Sequence, residues 1–191
     1  MNEKKFDPKK LQKLNNPQRL IDIPPDYIRS KLTVSRPDVL VDIGAGTAFF
    51  SLAFLALLHP ATVYACDQSE TMITWIQENV SSAYPKIVPV KNEENTLPLD
   101  SGIADLVFMI ALHHELENPS RVLDESFRLL KPDGEIFIVD WKKQDMAEGP
   151  PKEIRCEPEE VQKQMIQSGF GNVKIFNEMP KHFLVVGNKT R

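Results

Sequence analysis

Residues 39–51 read VLVDIGAGTAFFS. Val39 to Ile43 is a β-branched apolar run broken only by Asp42 and bounded by Pro37 and Gly44. Such a run suits a strand buried on both faces, the kind that parallel sheets contain. Gly44-Ala45-Gly46 then forms a turn of small residues, where a ligand can approach the backbone closely. From Thr47 to Leu58 the chain is apolar nearly all round, so it predicts a helix that must be covered on both sides.

Outward from this stretch the same alternation repeats. ATVYACD (61–67) is a second strand, and Ser69 caps a helix running to about Val80. IVPV (87–90) and GIADLVFMI (102–110) are further strands, and Pro119 to Leu130 is a helix stopped by Lys131-Pro132. The turn Pro132-Asp133-Gly134 leads into EIFIVDW (135–141). After a polar loop from Lys142 to Pro158, a helix from Glu159 to Ser168 ends at Gly169, and VKIFNEMPKHFLVVGN supplies two strands around Met179-Pro180.

Strands alternating with helices imply right-handed crossovers. The fold class is therefore α/β: a Rossmann-like, doubly wound, mainly parallel seven-stranded sheet with helices on both faces. Its last two strands, closely connected, form an antiparallel C-terminal edge hairpin. Ligands of such sheets bind beyond the carboxyl ends of the strands, which predicts one site after residues 43, 66, 90, 110 and 140.

The 191 residues suit one domain with a short appendage. Residues 1–37 contain Pro8, Pro17, Pro24, Pro25 and Pro37, which limit helix length and predict a short helical N-terminal arm; residues 38–191 form the body. Asn16-Pro17 reads as a helix cap and first helical position. Residues 1–36 hold nine Lys/Arg against four Asp/Glu, and the remainder 14 against 23, a net −9. That acidic body argues against nucleic acid as a partner. Cys66 and Cys156 stand alone, indicating neither disulfide nor zinc, and no apolar stretch is long enough to span a bilayer. A cytoplasmic protein without membrane insertion is expected.

Two ligand types use a glycine turn of this kind. A dinucleotide fingerprint would place a third small residue at position 49, where Phe49 stands. Asp42, two residues before Gly44, would also repel a pyrophosphate held by the turn amides. A sulfonium-bearing, phosphate-free donor such as S-adenosylmethionine is instead favoured by a carboxylate there. Asp67, some 20 residues further on, is placed to accept hydrogen bonds from a ribose diol, which both ligands carry. Gln68 and Met72 follow at spacings that suit an adenine.

These residues resemble a class I S-adenosylmethionine-dependent methyltransferase, of the small methyltransferase-domain family that includes ubiquinone/menaquinone-biosynthesis-like enzymes. VLVDIGAGTA resembles the family's acidic-GxGxG motif, with Ala48 in place of the third glycine; VYACDQSETM resembles its ribose motif through Asp67. VKNEENTLPLDSGIADLVFMIALHHEL resembles the stretch in which an acidic residue before Leu-Pro faces the adenine amino group, which implies Glu93 as the contact and Glu94 as its neighbour. LLKPDGEIFIVDW resembles the family's helix, turn and strand around KPGG. The resemblance covers about Asp38 to Asp140. It implies a cofactor site of Asp42, Gly44, Ala45, Gly46, Asp67, Gln68, Met72, Glu93 and Glu94, binding S-adenosyl-L-methionine and releasing S-adenosyl-L-homocysteine.

Methyl transfer is an in-line displacement, so positioning supplies most of the catalysis, and a base is needed only where the acceptor must lose a proton. His113 and His114, with Glu115, follow the strand 102–110 at its carboxyl end, so the two histidines are the candidate catalytic residues. No metal is expected, since nothing completes a ligand set. Asp140, Trp141 and Lys142 are expected on the acceptor side, with Arg19, Tyr27 and Arg155 as candidates to close over the substrate. The expected acceptor is a small molecule, then a protein side chain, with nucleic acid last; monomer and homodimer are both open. The competing readings are a non-catalytic methyltransferase-like subunit and an NAD-dependent oxidoreductase.

Overall fold

The computed structural model of the chain describes residues 11–190. Seven strands form one sheet in the order β3-β2-β1-β4-β5-β7-β6: Val39–Ile43 (β1), Thr62–Asp67 (β2), Ile87–Lys91 (β3), Ala104–Ile110 (β4), Leu130–Trp141 (β5), Phe170–Phe176 (β6) and His182–Lys189 (β7). β1 to β5 are parallel, and β7 runs antiparallel between β5 and β6. The expected edge hairpin is present. Strand order reverses at β1, so the carboxyl ends of β1 and β4 open the crevice where a doubly wound sheet binds its ligand.

Helices cover both faces: Leu11–Leu14 (α1), Gln18–Asp22 (α2), Pro25–Arg29 (α3), Phe49–Leu58 (α4), Glu70–Ile76 (α5), Pro119–Leu129 (α6) and Pro158–Gln167 (α7). α4 packs on one face through Phe54, whose ring lies 5.1 Å from Phe108 and 5.3 Å from Phe137. All three rings are fully buried, each burial stabilising the fold by roughly 1.5–3 kcal/mol. The outer side of α4 is covered by the arm, whose Ile23, Ile28 and Leu32 join the same core. That is how an apolar helix is covered on both sides. Below, the buried carboxylate of Glu135 fastens the arm by accepting from Thr33 N (2.8 Å), Thr33 Oγ1 (2.9 Å) and Val34 N (2.6 Å). The opposite face buries α6 and α7 through residues such as Leu123, Leu129, Val161 and Met165.

Several boundaries differ from the sequence expectation: the helix capped by Ser69 gives way after Ile76 to a π-helical stretch over Gln77–Ser81, the strand expected from Gly102 begins at Ala104, that expected from Val173 begins at Phe170, and two further differences have a clear cause. α4 begins at Phe49 rather than Thr47, because the turn before it is left-handed at Gly44 (φ 74°), Gly46 (φ 57°) and Ala48 (φ 58°). Ala48 thus takes a conformation that costs an L-residue on the order of 1 kcal/mol over glycine. Pro132-Asp133-Gly134 does not separate helix from strand. Leu130 pairs Ala104 and Glu135 pairs Leu106, so the three residues bulge within β5, with Asp133 at φ 64°. Elsewhere the expected punctuation holds. Asn16 Oδ1 accepts from Gln18 N at 2.9 Å, Ser69 Oγ from Met72 N at 3.4 Å, and Gly169 (φ 93°) follows α7. No helix among the described residues is long and apolar enough to cross a membrane.

Candidate active site

The carboxyl ends of β1 and β2 bring the first group of residues together. Asp42 is 3% exposed and accepts a 2.6 Å hydrogen bond from Ser51 Oγ on the first turns of α4. Burial, joined by the charge of Asp67, pushes the Asp42 carboxyl up to about 7, against the Ser51 bond and the charge of Arg19. The turn folds back on β2: Gly44 N and Ala45 N both donate to Cys66 O at 2.9 Å. Gly46 N donates to Asp67 Oδ2 and Ser69 N to Asp67 Oδ1, each at 2.8 Å. Asp67 therefore braces the glycine turn and caps the approach to α5. Burial raises its pKa, with those two amides opposing. Each carboxylate oxygen retains a second lone pair for a ligand hydroxyl.

A Cβ on Gly44 would sit 2.7 Å from Leu112 Cδ2, and one on Gly46 would sit 3.0 Å from Leu14 Cδ1. The glycine turn is thus roofed by two leucines, one from the loop after β4 and one from the arm. Beside it the segment 92–96 turns back on itself through Glu93 N to Thr96 O (3.2 Å), and Gln68 Nε2 donates to Glu94 O at 3.2 Å. Glu93 is exposed, Glu94 half-buried and Met72 fully buried. Sequence reasoning missed Asn92, which is 4% exposed with its Oδ1 buried and unpartnered; Asn95 Oδ1 is buried and unpartnered as well. Unsatisfied acceptors at this position suit a ligand bearing an amino group. The buried carboxylate at the end of β1, the half-buried one at the end of β2 and these acceptors fit an adenosine-bearing cation better than a pyrophosphate.

The second group lies at the ends of β4 and β5. Ile110 pairs Val139, so the chain leaving β4 passes beside Asp140. Ala111 turns it through a left-handed φ of 55°, and the helical turn His113–Glu115 follows. His114 Nδ1 lies 2.7 Å from Asp140 Oδ1, while His114 N donates to Asp140 Oδ2 at 3.0 Å and Trp141 N to Oδ1 at 2.7 Å. The fully buried carboxylate only accepts, which assigns a proton to Nδ1, and the other ring nitrogen, Nε2, lies 3.6 Å from Glu115 Oε1. Burial disfavours the imidazolium, but the bonds to Asp140 and Glu115 outweigh it and raise the His114 pKa to about 9.

His113 faces the other way. It is 1% exposed, and its Nε2 lies 2.7 Å from Gln164 Oε1 on α7. Burial lowers its pKa. Of the adjacent histidines, one is paired with a carboxylate and the other is packed against a helix. The Trp141 ring lies 4.2 Å from that of His182, tilted by 48°, and burial holds this imidazole down at about 4. Lys142 donates Nζ to Asn177 O, just past the carboxyl end of β6.

Of the three closing candidates, only Arg19 lies against the glycine turn; its guanidinium is 4.8 Å from the Phe50 ring. Tyr27 donates to Glu178 Oε2 at 2.7 Å, over the β6–β7 turn. Arg155, expected on the substrate, is instead 4% exposed and spent on backbone: it donates to the carbonyls of Pro150, Lys142, Gln144 and Glu148. Among the described residues no group of His, Cys, Asp and Glu could hold a metal. Two surface cavities, one lined by Lys31, Thr33 and Glu135 and one by Arg29, Arg36 and His59, adjoin the amino ends of strands and touch none of these residues.

A 3-2-1-4-5-7-6 sheet carrying carboxylates at the ends of β1 and β2 defines a class I methyltransferase fold. The chain belongs to the methyltransferase-domain family, which matches residues 41–138, and with it to the class I S-adenosylmethionine-dependent methyltransferases. The structure is similar to that of a SAM-dependent methyltransferase from Aquifex aeolicus, with a TM-score of 0.89 and 30% identity over 97% of this chain and 100% of that one. The tRNA N(3)-cytidine methyltransferase METTL2 of Gallus gallus is 28% identical over 146 residues, 73% of this chain and 39% of its own length. The malonyl-[acyl-carrier protein] O-methyltransferase of Methylococcus capsulatus is 29% identical over 112 residues, 59% of this chain and 40% of its own. The chain thus spans about two-fifths of these curated relatives.

Proposed function

We propose that the chain transfers a methyl group from S-adenosylmethionine to a small-molecule acceptor whose proton is taken by His114. In this reading residues 38–191 are the catalytic domain and residues 1–37 an N-terminal arm, of which the described part, residues 11–37, packs on the body; residues 1–10 and 191 lie outside the described residues. Asp42, the turn Gly44-Ala45-Gly46, Asp67, Gln68 and the 92–95 segment hold the cofactor, which supplies an electrophilic methyl on a sulfonium.

The observation that carries the proposal is the His114–Asp140 pair at 2.7 Å. Asp140 fixes the ring through Nδ1, so a proton can be taken only at Nε2, and a buried carboxylate stabilises the imidazolium that results. The same pairing gives His114 its high proton affinity, so the base form grows as pH rises toward 9. The imidazole loses its proton more readily beside a second positive charge, which a cationic cofactor brings. An acceptor with an ionisable O–H or N–H suits such a base; an acceptor that needs no deprotonation would leave it without a task.

A small molecule is favoured because the net charge of residues 37–191 is −9, which repels a polyanion. The relatives' own names include a tRNA, so their acceptors do not decide this chain's. The test is S-adenosylhomocysteine release with a panel of phenols, amines, thiols and carboxylic acids, run with wild type and His114→Ala. A base role predicts a loss in kcat on the order of 10²–10⁴-fold with cofactor affinity retained. Equal turnover by both proteins would remove His114 from the chemistry.

A further inference from the structure

His182 opens β7 directly across from Trp141, the last residue of β5, so the two side chains share one face of the sheet. The core on that face joins Phe137, Val139 and Leu184 to Ile23 and Ile28 of the arm. The imidazole is 2% exposed, and its Nδ1 is buried with no hydrogen-bond partner among the described residues. An orphaned polar atom at this depth costs stability until something pairs with it. Its setting is fixed. The Trp141 ring stands 4.2 Å away and is itself packed on the Gly149 backbone, where a Cβ would lie 2.8 Å from Cε3.

The position belongs to the acceptor side. β4 and β5 separate β7 from β1 and its glycine turn, whereas Asp140, next to Trp141, carries the bond to His114. Beside His182, Lys181 Nζ joins Asp22 of the arm at 2.9 Å to Glu148 of the loop after β5 at 2.7 Å. Two carboxylates, Asp140 and Asp22, and two cations, Lys181 and Arg19, act on the imidazole, so the charge around it is balanced. Burial keeps the ring neutral at physiological pH. A neutral nitrogen in balanced surroundings suits a neutral partner, and a hydroxyl, which both donates and accepts, fits either tautomer.

We propose that His182 is a positioning residue for the acceptor, its Nδ1 pairing with a neutral hydroxyl that is distinct from the group deprotonated by His114. The inference rests on methyl transfer to a small molecule at the His114 site, and it adds that this molecule carries a second polar group.

The experiment offers phenol, aniline and thiophenol, each with its 2-, 3- and 4-hydroxy derivatives, to wild type, His182→Phe and His182→Asn with S-adenosylmethionine. Release of S-adenosylhomocysteine gives kcat and KM. Wild type should prefer one hydroxylated isomer over its parent by roughly 10- to 50-fold in kcat/KM. His182→Phe should cut that preference to less than about 3-fold through the acceptor KM, with the donor KM unchanged. His182→Asn, whose amide can stand near the place of Nδ1, should restore part of it. A preference that survives in His182→Phe, or is absent from wild type, overturns the inference. So does a lowered melting temperature with donor and acceptor KM raised alike, the mark of a structural role. No turnover of any of these compounds by wild type would overturn the small-molecule reading itself, and the inference with it.

Discussion

Asp140 holds His114 through two contacts, Nδ1 at 2.7 Å and the backbone amide at 3.0 Å, and thereby couples the ends of β5 and β4. The arrangement makes the proton on His114 a measure of the site. Its imidazolium is favoured in the folded chain, so its contribution to stability is complete below about pH 6.5, the unfolded value, and is lost as pH rises through about 9. In Asp140→Asn the His114 pKa falls, and the stability difference from wild type shrinks above pH 9. Histidine NMR titration, with His114→Gln as the assignment control, reads it directly; a His114 pKa unmoved by the substitution contradicts the pairing.

Asp42 runs in the opposite sense. Its carboxyl is pushed up to about 7, so keeping it ionised costs stability that is absent below about pH 4 and complete above about pH 7. Asp42→Asn is expected to melt higher than wild type at pH 8 by on the order of 1–3 kcal/mol of stability, and to match it near pH 4. The same variant should lose affinity for the cationic cofactor. A lower melting temperature at pH 8 would show that the carboxylate is stabilised in place.

Asp67 carries two amide bonds that brace the glycine turn. Asp67→Ala removes those and any bond to the ribose, so S-adenosylhomocysteine affinity should fall by roughly 1.5–3 kcal/mol. Asp67→Asn, which keeps an acceptor, should lose less. Calorimetry decides, and an unchanged affinity in the alanine variant would take Asp67 out of the site.

Arg155 gathers residues 142–150 around one side chain and stacks 5.7 Å from Trp141, while a Cβ on Gly149 would lie 2.8 Å from Trp141 Cε3. Arg155→Met should therefore lower stability by about 2–4 kcal/mol and open the 142–154 segment to proteolysis. Lysine should restore little, because a single ammonium cannot reach carbonyls spread around a planar fork. Wild-type resistance to protease in Arg155→Met would contradict this account of the loop.

The strand-helix alternation was legible because it is local: buried parallel strands read as apolar runs, and glycine, proline and capping residues punctuate them. The bulge at Pro132-Asp133-Gly134 was not, since the same residues make a turn or a bulge according to what pairs across from them. Within the site, Asp42, the glycine turn and Asp67 stand out by their spacing. Asp140 could be placed at a strand end, yet its tie to His114 depends on β4–β5 register over 26 residues. Ser51 did leave a signal: it is the sole polar residue in an apolar helix, and it satisfies Asp42. Arg155 left none, because an arginine in a polar loop reads as surface until the carbonyls that enclose it are known.

The central claim is that the strand-end site takes a sulfonium donor rather than a dinucleotide. Calorimetric titration of the protein with S-adenosylmethionine, S-adenosylhomocysteine and NAD tests it most directly. The account predicts saturable binding of both sulfur compounds and none of NAD; NAD binding without them would contradict it.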